Sequence, residues 1–215
     1  IAVIPDRVGY SGDFMTWDEM RAWVAAGHYC HTHGCRDGLA NLSLYPSVAD
    51  AVADAVWSRA QIRAQGCAVD GAENVYMFPQ GRYYFDNDVY RRDLTDALLA
   101  EGFTAGRCTW TPQTFHTRHF NDAASRMILP IMGHGWSSTD EAGNVATILA
   151  RIASCGSYGY SGTLMFHHLV TTPATGIECA ITTFTQFMDD VETQVITNGV
   201  KNVGMQRQID DLVYA

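Results

Sequence analysis

The chain has 215 residues, with 14 Lys+Arg against 23 Asp+Glu, a formal net charge of −9, 47% hydrophobic residues and 17% charged residues. This is a globular composition and excludes an intrinsically disordered chain. Lys201 is its one lysine, which excludes binding to nucleic acid or anionic membrane through clustered cations, and no apolar run approaches the roughly 20 residues of a membrane span.

The length suits a single domain over 1–215, with a core large enough to need no staple. The chain opens IAVIPDRVGY, inside an apolar run and without an initiator Met or a basic leader. That opening suggests a segment of a longer polypeptide. Cysteines stand at 30, 35, 67, 108, 155 and 179. They form no C-x-x-C pair, so mostly free thiols are expected, although an even count leaves disulfides open.

In chain order, Ile1–Pro5 reads as a strand. Thr16-Trp17-Asp18-Glu19 is a capping box that starts a helix over Trp17–Ala26, stopped by Gly27. Tyr29–His33 reads as a short strand and residues 34–47 as a polar loop. Val48, Val52, Val56 and Ile62 mark a long helix ending near Gly66. Val75–Pro79 is a strand, Asp88–Ala100 a helix and Phe103–Thr109 a strand. A loop spans 110–126, followed by a strand at Met127–Met132 and a helix at Thr139–Ser154. Thr163–His167 is a strand, Ile181–Ile196 a helix and Val200–Met205 a last strand before a closing helix. Strands alternating with helices predict parallel strands in an α/β fold, as a barrel or an open sheet.

Chemistry in such folds gathers at the C-terminal ends of the strands. The polar residues there are His31, His33, Gln80, Arg107, Trp110, His134, His167 and His168. His31 and His33 are two apart on a strand and point to one face. Asp37 follows four residues after His33, and imidazole with carboxylate suits a Zn²⁺ shell. The same residues also fit a His-rich loop with Asp37 in a turn before Gly38.

Met15-Thr16-Trp17-Asp18-Glu19-Met20, then Ala26-Gly27-His28, His33 and Asp37, resemble the polysaccharide deacetylases, the NodB-like carbohydrate esterases. That family carries a Gly-His run ahead of a metal-binding H-x-x-x-H. His33 falls on the first metal histidine, and Asp37 stands where the second would be. Phe78-Pro79-Gln80-Gly81 resembles the family's R-x-P-Y-G strand end, with Met77 in place of its Arg and Gln80 in place of its Tyr. Gly102-Phe103-Thr104-Ala105-Gly106-Arg107 resembles a further family strand. Leu164-Met165-Phe166-His167 resembles the late L-x-H strand end.

The resemblance implies a distorted (β/α)7-type barrel and a metal-dependent deacetylase acting on N- or O-acetyl groups of a polysaccharide. It implies His33 and Asp37, with His31, as ligands of a divalent metal, most simply Zn²⁺. Gln80 would supply an oxyanion-holding backbone N–H, and His167 would protonate the leaving group. Arg107, Trp110, Tyr83 and Trp136 are substrate-binding candidates, with Tyr84 beside them. His168, one residue from His167, faces the other way and reads as a loop or supporting residue.

The family's first motif, T-F-D-D-G, supplies the base and a metal-ligand Asp. It does not occur in these residues, and Ile1–Pro5 corresponds instead to the second strand. The expectation is a barrel whose first strand precedes Ile1. Two alternatives stand beside the deacetylase: a catalytically inactive glycan-binding or structural module of a phage or cell-surface assembly, and a metal amidohydrolase acting on a small N-acyl substrate. An extracellular, cell-surface or virion-associated setting is the expected one.

Overall fold

A computed structural model describes residues 1–12, 14–39, 42–81, 92–108, 127, 141–158, 163, 164, 166, 168–175 and 178–198. The chain divides into two compact units, the first holding the described residues up to 108 with Met127, the second those from 141 to 198.

The first unit is a parallel sheet of four short strands: β1 (Ala2–Val3), β2 (His31–Thr32), β3 (Val75–Met77) and β4 (Ala105–Arg107). They lie side by side in chain order, all parallel. Each crossover carries one helix: α1 (Trp17–Ala25), α2 (Val48–Ala64) and α3 (Arg92–Ala100). Consecutive parallel strands that remain neighbours make a sheet wound in one direction. Right-handed crossovers then put all three helices on the same face.

Local chemistry sets the helix starts. Thr16 Oγ1 accepts from Glu19 N–H at 3.3 Å while Glu19 Oε2 accepts from Thr16 N–H at 2.7 Å, the reciprocal capping box. These bonds hold the Glu19 carboxyl below its ordinary pKa. Gly27, with φ +90°, lies just past the end of α1. Ser47 caps α2 by accepting from Asp50 N–H at 3.2 Å.

The helix-bearing face of the sheet carries the main core. Tyr76 and Phe78 pack edge-on at 5.1 Å, and Phe103 meets Tyr76 at 5.7 Å. Leu94 and Leu98 of α3 and Ala51, Val52 and Ala55 of α2 close over them. Gly106 has to be glycine: a Cβ there would stand 2.4 Å from the Met127 carbonyl oxygen and 2.6 Å from the Phe78 ring. A smaller cluster of Val3, Met20, Cys30, Ile62 and Cys67 ties β1 to α1 and α2.

The N-terminal end of β3 is fixed by polar contacts from α2. Arg63 donates twice to Glu73 Oε1, at 3.0 and 2.9 Å. Arg59 donates to the Glu101 carbonyl at 2.8 Å and stacks over Phe103 at 4.3 Å.

The second unit has helices α4 (Glu141–Tyr158) and α5 (Ile181–Asn198) and a parallel pair, β5 (His168–Val170) and β6 (Glu178–Ala180). Ile148, Ile152, Cys155, Cys179, Phe187 and Val191 form its core.

Within the strand expected at Thr163–His167, Leu164 forms a β-bridge and residues 165 and 167 lie outside the described residues; the ladder of β5 with β6 was not anticipated. A three-residue strand gets its conformation from its partner, and pairing between segments leaves little local periodicity. The expected polar loop at 34–47 also contains buried Leu42 and Tyr45 and two 3₁₀ turns, Arg36–Gly38 and Leu42–Leu44. The strands expected at Met127–Met132 (beyond Met127 itself) and Val200–Met205 lie outside the described residues. All six cysteines are free and buried. Among the described residues no helix is long and apolar enough to cross a membrane.

Candidate functional site

The register puts the polar residues into rows. Thr32 pairs with Tyr76 and Tyr76 with Gly106, on the face packed by helices. One residue further along, His33 stands level with Met77 and Arg107, on the opposite face. Arg107 is 7% exposed, and its Nε–H points to Met77 Sδ at 3.4 Å. Burial holds its guanidinium below the ordinary arginine pKa. His31 lies two residues back on the same face and is 5% exposed. Its Nδ1 is 2.8 Å from the Ala72 carbonyl oxygen.

Both imidazoles are held neutral at ordinary pH. Burial lowers His31 to about 4, with the N-terminal ammonium and Arg107 adding to the shift. Burial, then Arg107, lowers His33 to about 4 as well. His33 Nδ1 lies 3.3 Å from Cys35 Sγ. Burial and the neighbouring Asp54 push the Cys35 thiol up to about 12, so a neutral thiol meets a neutral imidazole. That pair is no thiolate–imidazolium nucleophile.

The turn after His33 is built on a buried carboxylate. Gly34 (φ +79°) and Cys35 (φ +67°) are both left-handed, which folds the backbone back onto α2. Asp54 Oδ2 accepts from Arg36 N–H at 3.3 Å and from the Tyr45 hydroxyl. The Tyr45 oxygen in turn accepts from Cys35 N–H at 3.3 Å. A Cβ on Gly34 would sit 2.8 Å from Asp54 Oδ2 and 3.2 Å from the Tyr76 hydroxyl. Asp54 Oδ1 and the Tyr76 hydroxyl have no hydrogen-bond partner among the described residues. Burial raises the pKa of the Asp54 carboxyl and of the Tyr45 and Tyr76 hydroxyls.

Sequence reading missed Asp54, Tyr45 and Cys35 as neighbours of His33. One signal was present: Asp54 shares the inward stripe of α2 with Ala51, Ala55, Ser58 and Ile62, all buried. A carboxylate on a buried stripe needs a polar partner.

Gln80 is the exposed residue of a turn, Pro79–Gly81, just past β3, whose proline and glycine are buried. Its φ of +53° is left-handed and uncommon for a residue with a side chain. The backbone of Asp37 lies in the 3₁₀ turn Arg36–Gly38; its side chain is outside the described set. His134, His167, Trp110, Tyr83, Tyr84 and Trp136 are also outside the described residues.

Neutral imidazoles are the ligating form, and a histidine with one ring nitrogen on a carbonyl is the usual outer-shell arrangement of a metal ligand. The donor chemistry of His33 and His31 therefore fits. Among the described residues no three His, Cys, Asp or Glu side chains gather to hold an ion, so a complete set requires Asp37 or others beyond them. Comparison with family models, with curated proteins and with solved structures finds no match to the chain.

Proposed function

We propose that the chain is a metal-dependent carbohydrate deacetylase on a barrel of the polysaccharide-deacetylase type, hydrolysing N- or O-acetyl groups of a polysaccharide. One observation carries most of the support. Three adjacent parallel strands, β2, β3 and β4, end in His33, the Pro79-Gln80-Gly81 turn and Arg107 at the same edge of the sheet. That edge is where parallel α/β folds place chemistry.

In this reading His33 and Asp37, with His31, hold the ion. A bound Zn²⁺ would polarise the acyl carbonyl and lower the pKa of a bound water to about 7. The base that takes the water's proton, which the family's T-F-D-D-G motif supplies, is not among these residues; the remaining roles fall to this chain's own residues. The Gln80 backbone N–H donates to the developing oxyanion. His167 protonates the leaving amine or alkoxide. Arg107, Trp110, Tyr83 and Trp136 are the candidate sugar contacts.

A second reading, a glycan-binding or structural module without hydrolysis, is favoured by one specific feature. The Arg107 cation acts on both imidazoles, and a guanidinium there opposes a divalent ion.

Elemental analysis and acetate release separate the readings. The deacetylase predicts stoichiometric zinc in the purified chain, lost in His33→Ala, and acetate release from acetylated polysaccharides that chelators abolish. Zinc with hydrolysis confined to small N-acyl compounds identifies an amidohydrolase. Absence of both metal and acetate release sinks the hydrolase and leaves the binding module.

A further inference from the structure

The aromatics singled out as sugar-facing from sequence lie outside the described residues, but the loop between β1 and α1 presents a different pair. Tyr10 is 71% exposed and Phe14 42% exposed. Their rings meet edge to face at 6.4 Å. Large exposed aromatics cost hydration free energy, and a pair of them on one short loop marks a contact surface more often than a lone one does.

The pair is held in place by its backbone. Gly9 N–H donates to the Met15 carbonyl at 3.0 Å and closes the base of the loop. Inside it, Tyr10 N–H donates to Arg7 O at 3.1 Å and Phe14 N–H to Ser11 O at 3.0 Å. Val8 and Met15, which flank the pair, pack into the core beneath and anchor it. The Arg7 guanidinium covers one side of the Tyr10 ring at 5.1 Å. One ring face is therefore occupied by a cation, and Tyr10 remains 71% exposed overall.

Position links this loop to the candidate site. It leaves the C-terminal end of β1, the strand next to β2. Its first turn, Pro5–Arg7, touches the Arg36–Gly38 turn that follows His33.

We infer that Tyr10 and Phe14, their ring planes 83° apart, form an angled aromatic platform against which a pyranose ring of a polysaccharide chain packs as it runs past the strand ends. This rests on the carbohydrate reading above. The chemistry selects a sugar over an aliphatic partner. The apolar part of the surface is two aromatic rings with no aliphatic side chain between them. Polar Arg7 and Ser11 flank the rings, and both are exposed. A pyranose offers the matching pattern, an apolar C–H face with hydroxyls around its edge.

Affinity electrophoresis tests this with the whole chain and two soluble probes, partially acetylated chitosan and acetylated xylan. Acetate release is measured alongside. The expected result is retardation of the wild type by at least one glycan, weakened about tenfold in Tyr10→Ala and in Phe14→Ala. Tyr10→Phe should keep most of it, because stacking needs the ring and not the hydroxyl. Circular dichroism of the variants should be unchanged, since both side chains are exposed. Equal retardation of wild type and both alanine variants overturns the platform, as does no retardation by either glycan. Acetate release with an unchanged KM in Tyr10→Ala overturns the platform and leaves the deacetylase intact. Tyr10-dependent retardation without acetate release does the reverse.

Discussion

Acidification should destabilise the first unit through His31, and the size of the effect follows from its surroundings. His31 is buried on β2 with Nδ1 at 2.8 Å from the Ala72 carbonyl. Its pKa falls from an ordinary 6.5 to about 4, chiefly through burial. In the unfolded chain the ring takes up a proton near pH 6.5; in the folded chain it does so only near pH 4. Between those values the unfolded state binds more protons, so stability falls as pH falls and levels off below about 4. At about 1.4 kcal/mol per pKa unit, the loss is about 3 kcal/mol for this one residue. His33 shifts in the same direction and to the same value, about 4, and its contribution is common to the wild type and to a His31→Asn variant. Urea unfolding of wild type and His31→Asn at steps from pH 7.5 to 4.5 measures the term. The asparagine keeps an N–H for the Ala72 carbonyl and cannot titrate. Carboxylates titrate alike in both proteins and cancel in the difference. The wild type should lose stability more steeply below pH 6.5. Parallel pH profiles for the two proteins, or a His31 ring that titrates near 6.5 by NMR, would refute the reasoning.

Three further substitutions probe the scaffold under the site. Gly106→Ala forces a methyl against the Met127 carbonyl and the Phe78 ring and should cost about 2 kcal/mol in urea unfolding; an unchanged midpoint contradicts that packing. Asp54→Ala removes the acceptor of the Arg36 N–H and of the Tyr45 hydroxyl. It should cost about 2 kcal/mol and speed hydrogen exchange at the Cys35 and Arg36 amides, whereas unaltered exchange there would mean that the turn holds itself. Thr16→Ala breaks the capping box and should cost about 1 kcal/mol, read as a lowered unfolding midpoint; no change would place the start of α1 under tertiary control.

Much of the first unit was legible in the sequence because its signals are local. Thr16 with Glu19 fixes the start of α1, and Gly27 stands just past its end. The stripe Val48, Val52, Val56 and Ile62 gives α2, and Gly66 stands just past its end. The apolar run at Val75 gives β3. Strand–helix alternation gives parallel pairing, since short connections through a helix bring the chain back in the same direction. His33 at a strand end was legible for the same reason.

What surrounds His33 was not. Residues 34–47 read as a polar loop, yet Tyr45 from that loop and Asp54 from α2 meet beneath the Gly34–Arg36 turn. Cys35, read only as one of six scattered thiols, faces His33. Those partners are up to 21 residues from His33 in sequence, and only the docking of α2 on the sheet brings them together. The strand order β1-β2-β3-β4 belongs to the same level.

The net charge of −9 and the single lysine needed no structure to argue against a polyanion as partner. The local code likewise set which segments are helix or strand in the first unit. Tertiary packing alone decided the charge state of the chemistry. Taking His31 and His33 out of water beside Arg107 makes both imidazoles neutral, and burying Cys35 next to Asp54 keeps its thiol protonated. Desolvation is a property of what lies around a side chain, and no local pattern of residues carries it.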